Sequence, residues 1–196
     1  MAKSILFIGN SYTFYHDMPE AIFAPMAEEA GFPLEVSSVT KGGWKLSRFA
    51  NPEDEGGALL AAELAKGKKY DYVVLQDHSL RTIKDPDKFF EGVKACRDLL
   101  ADRAGEFILY VTWGRKTGSP QLEELGLTTE EMAKKITDRA KAEGSEDVPS
   151  GGGAVVLVAG EAVVAEGECL EAELCHPIIG LFLLAEGGIE EGEMEG

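Results

Sequence analysis

Ser11 stands in Gly9-Asn10-Ser11, a turn directly after the unbroken apolar run Ile5-Leu6-Phe7-Ile8. Such a run reads as a strand buried on both faces. The serine therefore occupies a polar loop at a strand's carboxyl end, the place where open α/β sheets bind ligands. Two readings of it stand side by side. A serine in such a turn can cap its own loop through local hydrogen bonds. It can also be a nucleophile, and then it needs a base and donors for the oxyanion. The Gly-x-Ser-x-Gly turn of the α/β-hydrolase fold is absent. Candidate bases are His16, His78 and His176, the three histidines of the chain. His16 shares the Ser11 loop and reads as a cap or a solvent-facing ring. His78 lies in the exit loop Gln76-Asp77-His78-Ser79 of another apolar run. His176 lies in Glu173-Leu-Cys-His176-Pro177, just before the apolar stretch 178–185. Proline places it at a helix start. A carboxylate three residues upstream can reach Nδ1 and leave Nε2 free for a proton. A surface cap is the plain alternative for that histidine.

The elements that must position these groups alternate along the chain. Strands are expected over 4–8, 34–39, 72–75, 107–112 and 154–159. Helices are expected over 18–30, 56–66, 86–103 and 128–142. Asp17 and Glu20 have the spacing of a capping box for the first helix, with Pro19 in its first turn. Ile22, Phe23, Met26 and Ala30 fall roughly on one face of it. Strands alternating with helices imply a parallel sheet covered on both sides. The expected fold is α/β, a flavodoxin-like three-layer α/β/α sandwich with about five parallel strands. Polar or glycine-rich loops after four strands would then share one sheet edge.

Composition bounds the function. A length of 196 residues suits one domain. The formal charge of −16 argues against nucleic acid and against anionic membrane surfaces. All nineteen Lys and Arg lie before residue 144, whereas twelve of the 35 Asp and Glu lie after residue 143. Most of the acidity thus belongs to the C-terminal part and says little about substrate. Cys96, Cys169 and Cys175 form neither a disulfide framework nor a zinc pattern. No apolar run approaches the ~20 residues of a membrane span. Met1-Ala2-Lys3 leads straight into the first strand without a secretory signal, so a cytoplasmic location is expected. Residues 1–185 read as one domain, divergent from 144 onward. Residues 186–196 read as a low-complexity acidic tail, expected to be disordered.

Five blocks carry a resemblance. Ile5–Tyr15 (ILFIGNSYTFY), Val39–Trp44 (VTKGGW), Asp71–Ser79 (DYVVLQDHS), Leu109–Gly114 (LYVTWG) and His176–Ala185 (HPIIGLFLLA) resemble, in order and spacing, the SGNH/GDSL hydrolase superfamily, in its bacterial esterase-like branch. The resemblance implies a Ser-His-acid site. Ser11 would be the nucleophile, His176 the base and Glu173 the acid, where the family usually has Asp. The oxyanion hole would be formed by the amides of Ser11 and Gly43 (or Gly42). The family's Asn in the third block has no counterpart, so Gln76 or His78 would supply the remaining hydrogen bond. Trp44, Trp113 and Arg115 stand in the edge loops, as pocket walls or as packing. No metal or organic cofactor is called for. The implied substrate is a small-molecule or carbohydrate ester, such as an acetyl ester. Two other functions compete with this reading: a catalytically silent binding module of the same fold, and a flavodoxin-like phosphate or nucleotide binder using 9–13 as an anion cradle. The last lacks a P-loop lysine and a Gly-x-Gly-x-x-Gly fingerprint.

Overall fold

Residues 5–8 have no exposed surface, and alternate side chains leave them in opposite directions. Leu6 and Ile8 enter one core cluster, whereas Ile5 and Phe7 enter another. Val73 and Leu75 against Tyr72 and Val74 repeat the division, as do Leu109 and Val111 against Ile108 and Tyr110. A sheet with apolar side chains on both faces needs cover on both faces, and that is why these runs are continuous rather than alternating. The computed structural model describes residues 2–146, 154–158 and 161–164.

The strands are β1 (Lys3–Gly9), β2 (Leu34–Thr40), β3 (Tyr70–Leu75), β4 (Ala104–Val111), β5 (Ala154–Val158) and β6 (Glu161–Val164). Their order is β2-β1-β3-β4-β5-β6. The first five are parallel and have the flavodoxin-like order. β6 returns antiparallel beside β5, an edge strand that the apolar pattern does not announce.

The helices are α1 (Ser11–Phe14), α2 (Ala24–Glu29), α3 (Leu46–Phe49), α4 (Glu55–Leu64), α5 (Arg81–Lys84), α6 (Pro86–Leu100), α7 (Pro120–Leu125) and α8 (Thr129–Glu146). One face of the sheet is covered by α3, α4, α6 and α8, through Leu46, Phe49, Leu60, Phe89, Val93, Met132 and Ile136. Segment 18–29 covers the other face with Met18, Phe23 and Ala27, and Phe23 meets Phe7 edge to face at 5.4 Å. No helix among the described residues is long and apolar enough to cross a membrane.

Two local expectations are corrected. The helix expected over 18–30 is a π-type turn, Met18–Phe23, followed by α2. The capping box does not form. Asp17 is left-handed (φ 53°) and makes no cap hydrogen bond, and Glu20 instead accepts from the Ser38 hydroxyl at 2.6 Å.

Register aligns the strand ends. Ile8 lies opposite both Val39 and Leu75, Gly9 opposite Thr40, and Leu75 opposite Leu109. Loops 10–11, 41–45, 76–80 and 112–116 therefore leave from a single carboxyl edge.

Candidate active site

At the end of β1 the chain turns into α1, and Asn10 makes the turn. Its Oδ1 accepts from the Tyr12 N–H at 3.2 Å, and its Nδ2 donates to the Trp44 carbonyl at 2.9 Å. Its own N–H donates to Gln76 Oε1 at 2.9 Å, which also accepts from Thr13 Oγ1 at 2.8 Å. The loops after β1, β2 and β3 are thus tied together by one asparagine and one glutamine. Gly9 is required at their meeting point, because a Cβ there would overlap Thr13 Oγ1 and Gln76 Oε1.

Ser11 follows as the first residue of α1 and is half-buried. Asn10 supplies the cap, so the serine hydroxyl is not used locally. It makes no hydrogen bond with a described residue. Its backbone N–H is one of the donors that a helix start leaves unpaired.

After β2, the Trp44 N–H donates to the Lys41 carbonyl at 3.2 Å, closing a turn with Gly43 at φ 68°. A positive φ at the third position suits a type II turn and favours glycine. Gly43 is exposed. Trp44 is 9% exposed and belongs to the main core, where it packs on Phe49 and lies under the Arg48 guanidinium at 3.7 Å. What it gives the site is its carbonyl.

After β3, Gln76 is 1% exposed, and its Nε2 donates to the Asp77 carbonyl. With Oε1 accepting twice, this amide is buried scaffolding, not a donor toward solvent. Asp77 is 6% exposed. Its Oδ1 accepts from the N–H groups of His78 at 2.7 Å and Leu46 at 3.2 Å. Burial pushes its carboxyl up, against those amides and the charges of Arg81 and Lys45.

His78 is half-buried. Burial lowers its pKa from the ordinary 6.5, and the nearby charges of Lys45, Arg115, Arg81 and Lys84 lower it further. Its Nδ1 accepts from the Leu80 N–H at 3.4 Å. A neutral ring that accepts at Nδ1 carries its proton on Nε2, a tautomer assigned from the hydrogen bond. In this tautomer His78 offers an Nε2–H donor, and its free lone pair, on Nδ1, faces the Leu80 amide.

After β4, Trp113 meets Tyr12 edge to face at 5.3 Å, and the Arg115 guanidinium lies 5.6 Å from the Tyr12 ring centre. Arg115 Nη2 donates to Ser79 Oγ at 2.9 Å. Both Trp113 and Arg115 are half-buried beside the Ser11 loop. His16 is exposed, in a left-handed turn. Cys96 is fully buried and its thiol is pushed up to about 12, so it does not supply a thiolate. Among the described residues no three His, Cys, Asp or Glu side chains converge as metal ligands. His176, Glu173, Cys169, Cys175 and the 186–196 tail lie outside the described residues.

No family model matches the chain, and no curated protein does. Solved structures do. A protein from Slackia heliotrinireducens, provisionally assigned as an SGNH hydrolase, is 24% identical over 95% of this chain and 98% of its own, with a TM-score of 0.67. The chain has the SGNH hydrolase fold. A DUF4886 family protein from Bacteroides uniformis aligns at a TM-score of 0.59 and 19% identity, over 73% of this chain and 63% of its own. A carbohydrate esterase family 2 enzyme with a carbohydrate-binding domain, from Corynascus, aligns at 0.50 and 16%, over 94% of this chain and 67% of its own. On this SGNH-type sheet, Ser11, Gly43, His78, Trp113 and Arg115 occupy loops of one edge. Sequence reasoning missed Asn10, Thr13 and Tyr12. The only local signal among them was an asparagine ahead of a helix start, a residue type favoured as a cap.

Proposed function

We propose that the chain is a serine hydrolase that cleaves carboxylic esters, with acetyl esters on carbohydrate as a substrate class. The observation that carries this reading is the Ser11 hydroxyl. It is left without a described partner at the carboxyl edge of an SGNH-type sheet, because Asn10 takes the capping role. In the reaction Ser11 Oγ attacks the ester carbonyl, and His176 Nε2 takes its proton. Glu173 holds the imidazolium that forms. The oxyanion is met by the N–H groups of Ser11 and Gly43 and by His78 Nε2–H. His78 thereby fills the place left by the missing asparagine, and Gln76 positions the loops around it. A neutral imidazole suits that task, because it donates without being consumed as a base. His176 then returns the proton to the leaving alcohol, and water repeats the sequence on the acyl-enzyme.

The test is hydrolysis of a panel of acetyl, butyryl and sugar esters by the parent and by Ser11→Ala. Turnover that disappears in Ser11→Ala supports the reading. Equal turnover in both would place the activity elsewhere. Absence of turnover in the parent would leave the silent binding module as the better description.

A further inference from the structure

The cations around this edge fall into two groups. Lys41, Arg48 and Lys84 each have a carboxylate: Glu55 at 2.7 Å, Asp54 at 2.7 Å and Glu124 at 2.8 Å. Lys45, Arg81 and Arg115 form no ion pair with a described residue. All three lie about His78, as does the paired Lys84. The Arg81 N–H donates to the His78 carbonyl at 2.8 Å. Arg115 reaches Ser79, the next residue, at 2.9 Å. Lys45 precedes Leu46, whose N–H is held by Asp77. Their fields depress protonation of the imidazole between them.

Two of these guanidinium groups also carry unmet hydrogen bonds. Arg81 is 9% exposed, and its Nε is buried without a partner among the described residues, as is Arg115 Nε. Asp77 lies in the field of Arg81 and Lys45 but forms an ion pair with neither: its Oδ1 accepts from two amides, and its Oδ2 has no partner among the described residues. Partly desolvated cations without an ion-pair partner are costly, and among the described residues these three have none. An anion brought by the substrate would remove that cost. Arginine's planar fork suits a carboxylate, and Arg115 lies over the ring of Tyr12, next to Ser11.

We propose that the site takes esters bearing a carboxylate, held by Arg115 with help from Lys45 and Arg81, while Ser11 attacks the ester carbonyl. The inference rests on the serine-esterase reading and narrows it to acidic substrates: an acylated sugar acid if the carboxylate is on the alcohol side, a dicarboxylic half-ester if it is on the acyl side.

The test compares matched esters. On the alcohol side 3-acetoxybenzoate is set against 3-acetoxybenzamide; on the acyl side monomethyl adipate is set against methyl hexanoate. We expect the carboxylate ester to exceed its neutral partner in kcat/KM by about tenfold in at least one pair. Arg115→Gln should bring that ratio close to one, and Arg115→Lys should restore part of it. If Arg115→Gln fails to fold by circular dichroism, Lys45→Gln should lower the ratio in its place. A ratio at or below one in both pairs overturns the inference, as does a ratio that a folded Arg115→Gln or Lys45→Gln leaves unchanged. Fluorophosphonate labelling of Ser11 separates the two levels. Labelling without a charge preference overturns the acidic substrate alone. Absence of both labelling and hydrolysis overturns the esterase reading and this inference with it.

Discussion

Asn10, Gln76 and Asp77 absorb the local hydrogen bonding at the strand ends, and the Ser11 hydroxyl and the Nε2 of His78 keep no hydrogen bond with a described residue. Ser11→Ala should therefore abolish ester hydrolysis while moving the thermal midpoint by no more than a few degrees. A half-buried hydroxyl without partners contributes little to stability. His78→Ala should lower kcat by roughly a hundred- to a thousandfold, with a smaller change in KM, because the lost donor meets charge that develops only in the transition state. His78 also predicts a pH dependence of stability. Its folded pKa lies below the ordinary 6.5, so folding favours the neutral ring. That contribution is fully present above the unfolded value and is lost as pH falls through the folded value. Thermal melts between pH 7 and pH 5 should show a larger drop for the parent than for His78→Gln. Equal drops would mean that the ring titrates freely.

Helix α3 shows how a loop can be held by an element distant in sequence. Lys45, at its N-cap position, provides no side-chain cap, and Asp77 from the β3 exit loop accepts the Leu46 N–H instead. Asp77→Ala would leave the buried Leu46 amide and the half-buried His78 amide unpaired and should cost about 1–3 kcal/mol in urea unfolding. Asp77→Asn keeps an acceptor oxygen and should cost clearly less; a loss equal to that of alanine would mean that the charge, not the acceptor, matters. This explains the limits of sequence reading here. The runs at 5–8, 72–75 and 107–112 were legible as strands because apolar side chains are needed on both of their faces. The shared carboxyl edge followed from the alternation of strands and helices. The network of Asn10, Gln76 and Trp44 was not legible, since its bonds join residues 34 and 66 positions apart. The sequence leaves Trp44 as wall or packing, and its contact with Phe49 of α3 comes only with the fold. The four-residue helices α3 and α5 carry no periodicity to read. The turn at His16 and Asp17 overrides a capping pattern that was locally sound.

At the scale of the molecule, charge and reach matter most. Net charge of −16 produces self-repulsion that salt screens. The thermal midpoint should rise from low to moderate NaCl, and a fall would indicate that attractive ion pairs dominate. The proposed reaction asks more of the chain, because it joins a nucleophile near its start to a base in Glu173-x-x-His176 near its end. The most direct measurement is reaction of the intact protein with a fluorophosphonate, followed by peptide mass mapping. We expect one adduct, on Ser11, and loss of that adduct in His176→Ala. No adduct, an adduct on another serine, or labelling of Ser11 undiminished by His176→Ala would contradict a Ser11–His176 hydrolase.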